Sequence, residues 1–140
     1  MHRSSRWIAQ ALGAQLHGND VEVTGTVETD SREIRQGSLF VARRGENSDG
    51  HDYLDAAERN GAVAAIVEHL CDSPLTQIVV EDSTIALGEL ARAYLSDLRS
   101  HQKLDVIAMT GSVGKTTTKD LLAAIMSADA PTVAPQLSFN

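Results

Sequence analysis

The run Gly111-Ser112-Val113-Gly114-Lys115-Thr116-Thr117 sets two glycines, a lysine and two threonines at a spacing suited to holding phosphate. Gly111 and Gly114 remove side chains where a backbone must fold around an anion. If a helix starts here, the N–H groups from Val113 to Thr117 can point at phosphate oxygens, and the helix dipole adds roughly half a positive charge at that end. Lys115 supplies a mobile full charge for the outer phosphates, which makes it the candidate catalytic residue. The Thr116 hydroxyl is the expected protein ligand of a Mg2+ ion bridging those phosphates. Gly111 through Thr117 are thus the candidate nucleotide-binding residues. The common pattern G-x-x-x-x-G-K-[ST] would place glycine at Met109, so the match fails at its first position. The competing reading is an ordinary strand-to-helix turn with these residues.

Such a loop needs a strand before it and a helix after it. Val106 to Met109 is an apolar run that predicts the strand, and Leu121, Leu122, Ile125 and Met126 give a helical period from about Lys115 to Ser127. A further strand is expected around Thr132 to Ala134. One strand and one helix cannot bury their own apolar faces, so residues 102–140 read as the incomplete start of a nucleotide-binding domain.

Residues 1–101 read as a separate small domain. Ser4 or Ser5 can cap a helix with apolar pairs Trp7/Ala11 and Ile8/Leu12, ending near Gly13. Val21, Val23 and Val27 alternate with polar residues, predicting one half-buried strand closed by Asp30-Ser31-Arg32. Leu39 to Ala42 predicts a second strand after the turn Arg35-Gln36-Gly37. A polar loop, Gly45 to His51, leads to a helix from about Asp52 to Asn60, with Asp49 able to cap it and Gly61 ending it. Ala64 to Val67 and Ile78 to Val80 predict strands covered on both faces. Ser83 is the expected cap of a long helix whose stripe holds Leu87, Leu90, Ala91, Tyr94 and Leu98. Strands and helices alternate throughout, so the fold class is α/β.

Ser31 and Arg32 set a hydroxyl and a guanidinium side by side, able to meet a uracil edge or a diphosphate; a strand-ending turn with a surface ion pair is the plainer reading. Asn47 offers an amide between two glycines. The five histidines show no paired ligand spacing and read as surface or connecting residues; Asp49, His51 and Asp52 read as a solvated polar cluster. A net charge of −7 disfavours nonspecific binding to nucleic acid. A single cysteine, Cys71, excludes an intrachain disulfide and reads as a buried, inert thiol in a reduced, cytoplasmic protein. No segment approaches the roughly 18 apolar residues of a membrane span.

Thr110 through Asp120 resembles the ATP site of the Mur ligases, in which Thr-Gly-[Ser/Thr]-x-Gly-Lys-Thr is usual and the early glycine is not required. Asp30-Ser31-Arg32, Gly37 to Ala42, Gly45 to His51 and Gly61 to Val67 are similar, in order and spacing, to that family's amino-terminal UDP-sugar-binding domain. The resemblance covers nearly all of the chain from Ala9. It implies ATP and Mg2+ as cofactors, with Ser31, Arg32 and Asn47 as substrate contacts. Ser112 followed by Thr118-Lys119-Asp120 is similar to the branch that adds a dipeptide. The implied reaction joins D-alanyl-D-alanine to UDP-N-acetylmuramoyl-tripeptide through phosphorylation of a carboxylate and attack by the dipeptide amine. The branch adding the third amino acid, a non-catalytic nucleotide-sugar-binding module, and another P-loop enzyme such as a kinase or GTPase stay open as alternatives. The family's acidic Mg2+ ligand is expected just after the segment Ser138-Phe139-Asn140, so this polypeptide is expected to be inert alone.

Overall fold

The computed structural model describes residues 1–45, 48–102 and 104–135. It divides into two compact units, Met1–Gln102 and Lys103–Asn140.

The first unit opens with strand β1 (Arg3–Ser4) and helix α1 (Ser5–Ala11). Ser4 caps the helix, its hydroxyl accepting from the Trp7 N–H at 3.2 Å. Strands β2 (Gln15–His17), β3 (Glu22–Val23) and β4 (Val27–Glu28) follow. The single strand predicted over Val21 to Val27 is therefore two. Its ladder breaks because the N–H groups of both Thr24 and Gly25 turn to one acceptor, Gly37 O, at 3.0 and 2.9 Å. β3 then pairs antiparallel with β1 as a two-stranded ribbon, while β4 joins the main sheet. β1 and β2 carry too few residues for any periodicity to announce them.

The main sheet adds β5 (Ser38–Val41), β6 (Ala62–Val67) and β7 (Thr76–Val79) in the order β2-β7-β6-β5-β4. β4, β5, β6 and β7 run parallel, and β2 closes the far edge antiparallel to β7. Alternation along the strands divides the core. Leu39, Val41, Ala64 and Ile66 face α1 and α3 (Ser83–His101), joining Ile8, Ile78, Ala86 and Leu90. Phe40, Ala42, Ala65 and Val67 face the opposite side with Leu54 and Ala57 of α2 (Leu54–Arg59). Each large apolar side chain buried this way contributes about 1.5–3 kcal/mol. α2 is preceded by a 3-10 turn, Gly50–Tyr53, and Asp49, the expected cap of the helix, caps that turn instead.

The cap of α3 is Asp82, not Ser83: Asp82 accepts from Thr84 N–H and Ile85 N–H at 2.8 and 2.9 Å. Ser83 is instead buried as the first helical residue. Ala91 is exposed, since the inward stripe runs through Ser83, Ala86, Leu87, Leu90, Tyr94 and Leu98. Near the helix end, Arg3 forms an ion pair with Asp97 and lies 5.3 Å from the ring centroids of both Trp7 and Tyr94.

In the second unit, α4 spans Lys115–Ser127, matching the predicted helix. Val106 to Met109 and Thr132 to Ala134 are not strands. A β-ladder needs a neighbouring strand for its N–H and C=O groups, and none pairs with either run among the described residues. None of the described residues of α4 is buried.

Candidate functional site at the carboxyl ends of the parallel strands

Four parallel strands bring four segments to one edge of the sheet, where open α/β sheets place their ligands. These are the Asp30–Arg32 turn after β4, the loop from Arg43 after β5, Glu68 and His69 after β6, and Glu81 to Thr84 after β7.

The turn after β4 is closed on itself. Asp30 Oδ1 accepts from the Arg32 backbone N–H at 2.9 Å, and both its oxygens accept from the Arg32 guanidinium, at 2.6 to 3.2 Å. Arg32's side-chain hydrogen bonds, then its backbone N–H, hold the Asp30 carboxyl down at about 2. The Arg32 side chain remains 85% exposed. Ser31 is tethered by its carbonyl, which accepts from Asn60 Nδ2 at 2.8 Å. Ser31 and Arg32 are thus adjacent as expected, but the guanidinium already serves a carboxylate. Asn47 lies outside the described residues.

The loop after β5 doubles back so tightly that Arg44 and Asp49 form an isolated antiparallel bridge. Gly50 is required for this approach: a Cβ there would stand 2.6 Å from Arg43 N. The fold also buries His51, against the expectation of a surface histidine. Its Nδ1 meets Asp49 Oδ1 at 2.5 Å and its Nε2 accepts from the Glu68 N–H at 2.9 Å. With Nε2 an acceptor, the ring is neutral and carries its proton on Nδ1. His69 stacks on it with centroids 4.4 Å apart. The backbone and side-chain donors of His51, helped by Arg44, hold the Asp49 carboxyl at about 2. Asp49 is therefore a fixed, hydrogen-bonded anion rather than one member of a solvated cluster.

Arg44 Nε reaches Asp49 Oδ2 at 3.1 Å and Glu68 Oε2 at 3.6 Å. Glu68 Oε1 accepts from the Ser83 N–H and hydroxyl at 3.2 and 3.1 Å, which is why Ser83 does not cap its own helix. Arg43 Nε donates to Thr84 Oγ1 at 3.1 Å. Sequence reasoning missed Arg43, Arg44 and Glu68. The spacing Asp49-Gly50-His51 was the only local signal. Cys71 is half-buried, with burial first, then the charges of Asp49 and Asp52, pushing its thiol up. An open cleft of about 690 Å³ nearby is lined by Glu68, Glu81, Asp82 and Glu89 with no cationic side chain, which disfavours an anion there.

The second candidate is the loop entering α4. Gly114 adopts φ +83°, a left-handed conformation that glycine tolerates best, and turns the chain into the helix. The helical ladder begins with Thr118 N–H to Gly114 O at 2.9 Å, so the donors ahead of it lie at the positive end of the dipole. Lys115 folds back across the loop, Nζ to Gly111 O at 2.5 Å. Gly111, Ser112, Val113, Gly114, Thr116 and Thr117 are exposed around it. An anion at that mouth would meet the ammonium and the helix start together. No cluster of three metal-ligating side chains occurs among the described residues.

Among the described residues no helix is long and apolar enough to cross a membrane. The model of the family described as "Mur ligase family, catalytic domain" matches residues 22–95, just over half of the chain. UDP-N-acetylmuramoyl-tripeptide--D-alanyl-D-alanine ligase of Escherichia coli K12 is 40% identical over 120 residues, 86% of this chain and 25% of the relative. A crystal structure of MurF from Acinetobacter baumannii superimposes with a TM-score of 0.82 at 36% identity, over 94% of this chain and 28% of that one. MurF ligase of Thermotoga maritima, solved in complex with ADP, gives 0.63 at 38% identity over 76% of this chain and 24% of that one. The chain spans about a quarter of the length of the curated relatives it matches. It belongs to the Mur ligase family.

Proposed function

We infer that this chain is the amino-terminal part of an ATP-dependent ligase joining D-alanyl-D-alanine to UDP-N-acetylmuramoyl-tripeptide, in the cytoplasm, for peptidoglycan precursor synthesis. The observation that carries the reading is the superposition on MurF over 94% of the chain at 36% identity, a likeness in sequence and shape together. In this reading residues 1–101 bind the UDP-linked peptide, through Ser31, Arg32 and Asn47. Residues 102–140 begin the ATP-binding domain.

Gly111 and Gly114 let the backbone close around phosphate, and the N–H groups of Val113 to Thr117 orient it. Lys115 sets a positive charge against the negative charge that shifts during phosphoryl transfer. The Thr116 hydroxyl would hold Mg2+, which would supply charge neutralisation on the phosphates.

Calorimetric titration of the chain with UDP-N-acetylmuramoyl-tripeptide, and separately with Mg-ATP, tests the two-site division. Arg32→Ala is expected to weaken the first ligand and leave the second. Lys115→Ala and Thr116→Val are expected to do the reverse. Absence of saturable binding of the UDP-linked peptide, or an effect of Arg32→Ala on ATP alone, would overturn the reading.

A further inference from the structure

The polar groups at the carboxyl edge close into a ring. Arg44 Nε meets Asp49 Oδ2 and Glu68 Oε2, Asp49 Oδ1 meets His51 Nδ1, and His51 Nε2 takes the Glu68 N–H. The Glu68 carboxylate continues to Ser83 at the head of α3. The ends of three neighbouring strands are joined in this way: β5 by Arg44, Asp49 and His51, β6 by Glu68, and β7 by Ser83.

His51 is the joint of the ring. It is 8% exposed, and both ring nitrogens are engaged, one donating and one accepting. A group so engaged has no lone pair or proton left for chemistry. Its pattern is that of a spacer that fixes two loops at one separation. Among the described residues no buried side-chain nitrogen or oxygen lacks a partner. His51, the buried member of the ring, is satisfied at both nitrogens, the condition under which a buried polar group rigidifies a site rather than straining it.

The structure assigns to His51 a positioning role: it holds the carboxyl-edge loops in the pose that receives a uridine-diphosphate sugar, without touching the ligand. This rests on the nucleotide-sugar reading of that edge. Preorganised loops bind more tightly because less ordering is left to the moment of binding. Loss of the joint should therefore appear in ligand affinity beyond what a general loss of stability produces.

The test is calorimetric titration of the full 140-residue chain with UDP-N-acetylmuramic acid, alongside thermal unfolding of each variant. His51→Leu removes donor and acceptor together, and its Kd is expected to rise at least tenfold, about 1.4 kcal/mol. His51→Gln, whose amide can donate to Asp49 or accept from the Glu68 N–H, is expected to recover more than half of that loss on a logarithmic scale. Trp7→Ala, remote from the edge, is expected to lower the melting midpoint while leaving Kd within threefold of the parent. Arg44→Gln breaks the ring at an exposed position and is expected to raise Kd about fivefold, which keeps the proposal open to refutation if His51→Leu does not fold. Unchanged Kd in His51→Leu or Arg44→Gln overturns the positioning role, as does a loss in Trp7→Ala equal to that in His51→Leu. A parent chain that binds no uridine nucleotide sugar overturns the underlying reading of the edge, and the role of His51 with it.

Discussion

Gly50→Ala and Gly88→Ala make the same chemical change with opposite expected signs. At Gly50 the added methyl would stand 2.6 Å from Arg43 N, 2.8 Å from Arg43 O and 2.9 Å from Ala42 Cα. All three are backbone atoms at the end of β5, so no side chain can swing away. The strand end or the loop must move, and overpacking of this kind costs about 1–3 kcal/mol. At Gly88, inside α3, the methyl meets nothing within 4 Å. Alanine there gains helix propensity worth roughly 0.5–1 kcal/mol. For a unit of this size each kcal/mol moves the melting midpoint by about 4–8 °C. Gly50→Ala should therefore melt roughly 4–24 °C lower than the parent, and Gly88→Ala roughly 2–8 °C higher. Thermal unfolding followed by circular dichroism at 222 nm (a wavelength for helix) reads both. Equal shifts for the two variants, or a stable Gly50→Ala, would refute the tight return of the loop and with it the geometry of the ring.

Acid unfolding offers a second check. Asp30 and Asp49 both have folded values of about 2, below the roughly 3.9 of an unfolded aspartate, so each adds stability above pH 4 that is lost as pH falls through 2. Asp30→Asn and Asp49→Asn should each flatten the fall in melting midpoint between pH 4 and 2; a curve as steep as the parent's would contradict the pairing. Limited proteolysis should cut first between residues 104 and 135, where α4 buries none of its described residues, leaving a resistant piece of about residues 1–102 by mass spectrometry. A surviving fragment from the second unit would contradict this order.

Elements built on local pattern were legible in the sequence. Short continuous apolar runs marked β5, β6 and β7, and the period through Leu121, Leu122, Ile125 and Met126 marked α4. Features decided by distant partners were not. The break between Val23 and Val27 depends on Gly37 O, twelve residues beyond Gly25. The apolar run Val106 to Met109 met every local criterion for a strand, yet a strand exists only with a neighbour. Ser83 outranks no rival as a cap by residue type, but its hydroxyl goes to Glu68, fifteen residues back, leaving the role to Asp82. His51 was read as a surface or connecting residue for the same reason, since its acceptor nitrogen serves the backbone of a residue 17 positions away. The candidate phosphate loop could be proposed from sequence because its residues are seven in a row, Gly111 to Thr117.

The stacking of Arg3 against Trp7 and Tyr94 gives the protein a built-in optical reporter. Trp7 is its only tryptophan, so indole emission comes from one place. That place is the junction of α1 with the far part of α3, where Arg3 sits 5.3 Å from the ring centroid. Ser83, at the site end of the same helix, is 14 residues from Asp97, or about 21 Å at 1.5 Å per residue. A nucleotide sugar arriving at the carboxyl edge should leave the emission spectrum nearly silent. Separation of α1 from α3 strips the guanidinium from the indole face and wets the ring, so a red shift reports unfolding of the first unit without interference from ligand.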